Sequence, residues 1–480
     1  MSAKVAALII LLAIAAASPA SAQDPIMQVK VTYENASQLH TLQAAGFDMA
    51  HPQRDHVDLF LNQSDLAQLQ SMGLQYQVIH ENITEFYKSR LPVLEDMGGY
   101  KTLSEIYTYL DAMIADHGDI MSDKISIGQS IEGRDIWAVK ISDNPGLDED
   151  EPELLFTGVT HAREVITPEV LFYTMDYLTD NYGSLAEVDG IVNNREIWFV
   201  MVVNPDGYYY NELIAPDGGG MWRKNRRDNL DGTFGVDLNR NFGYMWGYDN
   251  VGSTPVTSRE TYRGTGPFSE PETQTMRDFI ISRDFSIIVY YHSYSNLILW
   301  PWWYDYLLCD DDDIFRALGD SMAYYNGYEP SPAWDMYLAN GVSLDWAYGE
   351  QEVKDKNFEF CIEVGGNSDG FWPKLSRVPQ LVSENLPVNL FLCRAANLGG
   401  EGCCEVMGDY NHDGRFDILD IDDFIRCELN NMTCPEVCFE AVDVSGATAG
   451  VPDGSLDILD IDYLIGYLLR QDYPSLPECP

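Results

Sequence analysis

His161 and Glu164 stand three residues apart in Thr160-His161-Ala162-Arg163-Glu164, directly after an apolar run from Leu154 to Val159 that reads as a buried strand. A strand end fixes two side chains at one point, and an imidazole nitrogen beside a carboxylate oxygen makes a competent pair of zinc ligands. A second imidazole, His292, follows the apolar run Phe285 to Tyr291 and would emerge at a neighbouring strand end. Two histidines and a glutamate leave a fourth position on such an ion open to water, the arrangement that metal-assisted hydrolysis needs. His-x-x-Glu alone says little, because four-residue patterns recur by chance. Its weight comes from the segments that follow in order: Trp222-Arg223-Lys224, Asp237-Leu238-Asn239-Arg240-Asn241, His292-Ser293-Tyr294-Ser295 and Phe360-Cys361-Ile362-Glu363-Val364.

Taken together these segments resemble the zinc carboxypeptidases of the pancreatic carboxypeptidase A type, over roughly residues 23 to 400. The resemblance implies one catalytic zinc held by His161, Glu164 and His292, and Arg223 polarising the scissile carbonyl. It implies that Asn239 and Arg240 grip the substrate's C-terminal carboxylate, Arg240 by a two-pronged contact. Tyr337, eight residues before Asp345, matches the family's mobile tyrosine, while Arg163 and Tyr294 line the groove. The base is Glu359 or Glu363, which strand alternation points to one face. Spacing from Asp345-Trp346 without an insertion selects Glu359; the local pattern around Glu363, followed by Gly365-Gly366, selects Glu363 and implies a short insertion near Glu350 to Lys356. Glu363 is the choice. Leu344 matches the pocket floor, with Leu299, Met336 and Ala339 as walls, so apolar C-terminal residues are expected over lysine or arginine. Trp303 falls where the family commonly carries glycine. A pocket shortened by Trp303, or a Trp303 displaced by an insertion near Trp302, are both compatible with the sequence, and Leu against Phe stays open.

These groups need a scaffold. Strands and helices alternate from about Gly98 to Leu398, which predicts an α/β fold with a mixed central sheet flanked by helices. Catalytic side chains then gather at strand ends, in the crevice of an open sheet. Before it, residues 23–97 read as a small α/β unit. Met27 to Tyr33, His56 to Leu61 and Gln75 to His80 are expected strands; Ser37 to Ala45 is an expected helix, and Ser64 the cap of another running through Met72. Such a unit resembles the family's inhibitory prodomain. Glu81 to Met97 would be the exposed connecting segment, with Lys88 and Arg90 as candidate activation cuts.

Beyond Gly399 an internal repeat appears: Asp417-Ile418-Leu419-Asp420-Ile421-Asp422 recurs as Asp457-Ile458-Leu459-Asp460-Ile461-Asp462. Asp409, Asn411, Asp413, Gly414, Asp417 and Asp420 carry the spacing of an EF-hand calcium loop, with Asp in place of the usual terminal Glu. The second copy reads Asp443, Ser445, Asp453, Gly454, Asp457 and Asp460, with an insertion in its first half. Two loop-helix copies resemble a dockerin, a small helical calcium-binding module whose partner is a cohesin receptor, spanning residues 399–480.

Composition sets the compartment. Residues 1–22 carry Lys4, an apolar run and Ala20-Ser21-Ala22, the pattern of a secretory signal peptide, so a secreted, extracellular protein is expected. No later segment is apolar for long enough to span a bilayer. A net charge of −47 excludes nucleic acid as a favourable partner. Six of the nine cysteines fall after residue 400, which suggests a disulfide-stapled tail. Two alternatives share much of this pattern, an amidase acting on cell-wall peptides and a non-catalytic binding protein. The full set of ligands, base, arginine and clamp speaks against the second.

Overall fold

A computed structural model of the chain describes residues 24–397 apart from 51, 94 and 95. The expected signal peptide and the acidic repeat, with its calcium-ligand candidates and six cysteines, lie outside the described residues.

The N-terminal unit comprises β1 (Met27–Thr32), α1 (Ala36–Ala44), β2 (Asp48–Ala50), β3 (His56–Leu61), α2 (Gln63–Ser71) and β4 (Gln75–His80). Its strands form an antiparallel sheet in the order β2-β3-β1-β4. Val29, Val31, Leu59 and Leu61 fill one face against Leu42 and Leu69 of the two helices. The helix over 63–71 begins on Asn62 rather than Ser64. The Asn62 side chain accepts from the backbone of Ser64 and Asp65, and Asp65 reaches back to the Asn62 N–H, a reciprocal capping box. The connecting segment is not open throughout: it forms α3 (Ile83–Lys88), with Ile83 and Tyr87 buried.

The larger unit follows as α4 (Leu103–His117), β5 (Ile125–Gln129), β6 (Asp135–Ile141), β7 (Glu153–Thr157), α5 (Thr167–Asn181), α6 (Ala186–Val192), β8 (Glu196–Val200) and α7 (Pro205–Ile214). After a long irregular stretch come α8 (Pro271–Ile281), β9 (Phe285–His292), β10 (Leu297–Trp300), α9 (Asp312–Asn326), β11 (Glu329–Pro332), α10 (Ser343–Gly349), β12 (Phe358–Glu363) and α11 (Val378–Arg394). Eight strands make one mixed sheet, β11-β10-β12-β9-β7-β8-β6-β5, whose four central strands β12, β9, β7 and β8 are parallel.

Alternation sorts the side chains of the central strands between two cores. Leu154, Phe156, Ile287, Val289, Phe360 and Ile362 face α5, α9 and α11. Leu155, Ile288, Tyr290 and Cys361 face α8 and α10. Strands buried on both faces explain the near-continuous apolar runs in the sequence. Cys309, Cys361 and Cys393 are buried free thiols. Among the described residues no helix is long and apolar enough to cross a membrane.

Candidate active site

The site forms where β7, β9 and β12 end side by side. Beyond β7 the chain turns sharply: a Cβ at Gly158 would lie 2.9 Å from the Met201 carbonyl, and Val159 takes φ 49°, a strained value for a β-branched residue. Side chains hold that turn in place. The Thr167 hydroxyl accepts from Val159 N (3.0 Å) and donates to Glu164 O (2.9 Å). Asn204, the cap of α7, donates to Thr160 O and Lys224 O, and Asn211 donates to Ala162 O and Trp222 O. Two asparagines thus tie the His161 segment to the Arg223 segment.

Within this frame three ligand atoms converge. His161 Nδ1 lies 2.7 Å from Glu164 Oε1; His292 Nδ1 lies 3.0 Å from Glu164 Oε2 and 3.1 Å from His161 Nδ1. All three side chains are buried. Two imidazole nitrogens and a carboxylate presenting lone pairs to one point repel one another unless a proton or a cation sits between them. This donor set fits zinc. His161 Nε2 is 3.3 Å from Asp237 Oδ1, close enough for an ion pair but too poorly aligned for a well-formed hydrogen bond. Burial, then Arg223, lowers the His161 imidazole from its ordinary value. Burial acts the same way on His292, but the Glu164 carboxylate outweighs it and raises that ring.

Asp237 is the residue the sequence reasoning missed. It accepts from Arg223 Nη2 (2.9 Å) and Nε (3.2 Å) and from Asn239 N (3.0 Å), so one buried carboxylate beside the His161 imidazole aligns a guanidinium and the turn carrying Asn239 and Arg240. Burial alone would raise its pKa; Arg223, Arg240 and His161 hold it well below the carboxylate range. Its position in Asp237-x-Asn239-Arg240 was the available signal. Arg240 donates to Gly252 O and Asn239 O, and Asn239 accepts from Ser343 N and Oγ.

Register distinguishes the two glutamates of β12. Glu363 pairs with His292 at the site, whereas Glu359 pairs with Ile288, roughly 13 Å back at ~3.3 Å per residue. Glu363 lines the cleft with His161, Glu164, His292, Arg223, Asn239, Arg240 and Tyr337. Its carboxyl is raised to about 7, first by burial, with Glu164 adding and His292 and Arg223 opposing. Glu359 is fully buried away from the cleft, and among the described residues neither of its oxygens has a well-formed hydrogen bond.

Arg163 and Tyr294 also line the cleft. Arg163 lies 3.9 Å over the Phe371 ring and donates through both terminal nitrogens to Asp48, at 2.5 and 2.7 Å. Asp48 belongs to β2, so the N-terminal unit roofs the site. Met49 and Ala50 line the cleft beside the histidines, and Gln43, Phe47 and Asp48 line an adjoining one with Arg223, Arg240 and Tyr337. Leu344 is buried but does not line the cleft; Trp303 does.

The family model described as "Zinc carboxypeptidase" matches residues 106–388. A zinc carboxypeptidase of Saccharothrix mutabilis subsp. capreolus is 33% identical over 307 residues, covering 61% of this chain and 69% of that protein. Carboxypeptidase A2 of Mus musculus is 30% identical over 301 residues, covering 58% of this chain and 69% of its own length. In structure, the chain resembles carboxypeptidase A from Helicoverpa armigera with a TM-score of 0.68 at 22% identity, covering 79% of this chain and 99% of that one, a likeness of fold.

Proposed function

The chain belongs to the zinc carboxypeptidase family, and from that membership we propose that it is a secreted zymogen whose active form removes the C-terminal residue of peptides and proteins. It is a metallopeptidase, a hydrolase. What supports the finer reading most is one observation: three buried ligand atoms, a buried carboxylate and three arginines share a single cleft.

His161, Glu164 and His292 would hold the zinc, which when bound lowers the pKa of a water and polarises a carbonyl. Glu363 takes the proton from the attacking water and passes it to the departing amine, a task suited to a carboxyl whose pKa is raised towards neutrality. Arg223, held by Asp237, donates to the scissile oxygen as negative charge develops on it. Arg240 and Asn239 bind the terminal carboxylate, which makes the enzyme an exopeptidase, because an internal peptide bond offers them no charge. Tyr337 closes over the bound residue. Leu299, Met336, Ala339 and Leu344 make the surroundings apolar, so an uncompensated lysine or arginine side chain would lose hydration and gain no partner.

In the zymogen β2 excludes substrate, with Asp48 occupying Arg163. Activation is a cut in residues 81–97 followed by dissociation of the N-terminal unit. Residues 399–480 are a calcium-folded dockerin-like module that binds a cohesin-like receptor.

The test is hydrolysis of a blocked dipeptide with a free C-terminus, before and after release of the N-terminal unit, with and without a zinc chelator. Release should switch activity on and the chelator should remove it; turnover insensitive to the chelator would overturn the reading.

A further inference from the structure

Asn211 lies fully buried on α7, where an asparagine gains nothing from helix propensity. Its amide works outside the helix. Nδ2 donates to Ala162 O (3.0 Å) and to Trp222 O (2.9 Å), and Oδ1 accepts from Trp222 N (3.0 Å). Ala162 follows His161 and Trp222 precedes Arg223, so one side chain joins the backbone beside a metal ligand to the backbone beside the arginine. Ala162 N also donates to Arg223 O (3.1 Å). The chain leaves room for this amide: a Cβ at Gly220 would lie 2.5 Å from Asn211 Oδ1 and 2.8 Å from its Cγ. Gly218 and Gly219 take positive φ but Gly220 does not, so contact with Asn211 rather than backbone conformation bars a side chain there. Arg223 needs a second anchor. Its Nε and Nη2 both donate to one oxygen, Asp237 Oδ2, instead of forking across the two. A guanidinium held at one oxygen tilts about it, whereas a fork across both fixes its plane.

We propose that Asn211 is a positioning residue for Arg223: it sets the arginine's backbone against the His161 segment, and the fit it secures is used as charge develops on the scissile oxygen. The proposal rests on the carboxypeptidase reading, in which Arg223 donates to that oxygen, and adds to it a residue that does not line the cleft. The terminal carboxylate is gripped elsewhere, by Asn239 and Arg240, which are anchored on Ser343 and Gly252. The turn carrying His161 and Glu164 keeps its ties to Thr167 and Asn204. Loosening Asn211 therefore costs turnover and spares both substrate binding and the metal site. A misplacement of about 1 Å at the reacting centre costs about 10²-fold in rate.

The test uses full-length zinc-loaded protein, cut in the connecting segment and freed of its N-terminal unit by dilution, with a blocked dipeptide ending in leucine as substrate. Asn211→Asp keeps the acceptor for Trp222 N and turns a carboxylate oxygen on the two carbonyls. Gly220→Ala leaves the amide intact and displaces it with one methyl, and it serves if the aspartate variant does not fold. Each should lower kcat by about 10- to 100-fold, with KM and the zinc affinity read by chelator competition within about 3-fold of the parent. Arg223→Ala should lower kcat by about 10²–10³-fold. Adding Asn211→Asp or Gly220→Ala to it should lower kcat no further, because Asn211 acts through the arginine; a purely structural role would give effects that add. Additive effects, an unchanged kcat in both variants, or a loss carried by KM or by zinc release overturns this proposal and leaves the carboxypeptidase reading standing. A full rate in Arg223→Ala overturns the role given to Arg223 and this proposal with it. No hydrolysis by the parent protein overturns the carboxypeptidase reading itself.

Discussion

Glu363 and Glu359 share a strand, a face and deep burial, yet their surroundings assign them different work. Glu363 faces His292 across the β9–β12 register, whereas Glu359 is enclosed beside Tyr290 with Lys354 as the cation opposing the effect of burial on it. Glu363→Gln removes the proton acceptor and should lower kcat by roughly 10²–10⁴-fold with zinc still bound, read by metal analysis alongside turnover. Glu359→Gln should keep most of the activity. It should also change the pH dependence of stability. Burial raises the Glu359 carboxyl well above its ordinary value, so the folded state keeps a proton that the unfolded state releases. The resulting stabilisation is present below the unfolded pKa, about 4.5, and is lost as pH rises towards the folded value. The glutamine variant should therefore lose less of its melting temperature between pH 5 and pH 8 than the parent protein; equal losses would mean that Glu359 is not held protonated.

At the scale of elements, α3 is the one that departs most from expectation. Arg90, just past its end, donates to the carbonyls of Ser368, Asp369 and Trp372, Tyr87 Oη accepts from Phe371 N, and Lys88 pairs with Asp217. A segment read as an open linker is thus docked on the catalytic unit, and the strongly exposed residue near it is Val93. Arg90→Ala removes three charged hydrogen bonds and should speed tryptic cleavage after Lys88 by about 10-fold, followed as a time course on the purified intact protein. The composition of residues 81–97 could not reveal this docking, since Asp217 lies more than a hundred residues away and the other partners 278 or more. The same limit hid β2. Three residues are too few to show alternation, and Asp48–Ala50 are strand only because β3 lies beside them. By contrast β3 and β4 were legible residue for residue, and the His161–Glu164 pair was legible because it closes an apolar strand. Asp237 sat in a recognised motif, but its role depends on Arg223 and His161 arriving from other segments.

The whole chain couples three parts whose chemistry differs. The acidic repeat beyond residue 400 concentrates carboxylates that repel one another without a cation, so calcium should order it. Residues 399–480 with oxidised disulfides should gain helical circular dichroism on adding calcium, and deleting them should leave peptidase activity intact. A calcium-independent spectrum would sink that assignment. The N-terminal unit is joined differently. Asp48 meets Arg163 in full burial, and Arg259 reaches Asp65 and Gln68 beside it. None of these contacts depends on the peptide bonds of the connecting segment, so a cut there leaves the roof in place and changes only the tether. In the inhibitory role proposed for it, the tethered unit would compete for the site at an effective concentration in the millimolar range and, once cut, at its own bulk concentration. Activation by that route would then be a dilution experiment. Fully cleaved protein should show higher specific activity at nanomolar than at micromolar concentration. Asp48→Ala, which strands a buried guanidinium at a cost of about 3–5 kcal/mol, should make cleaved protein equally active at both.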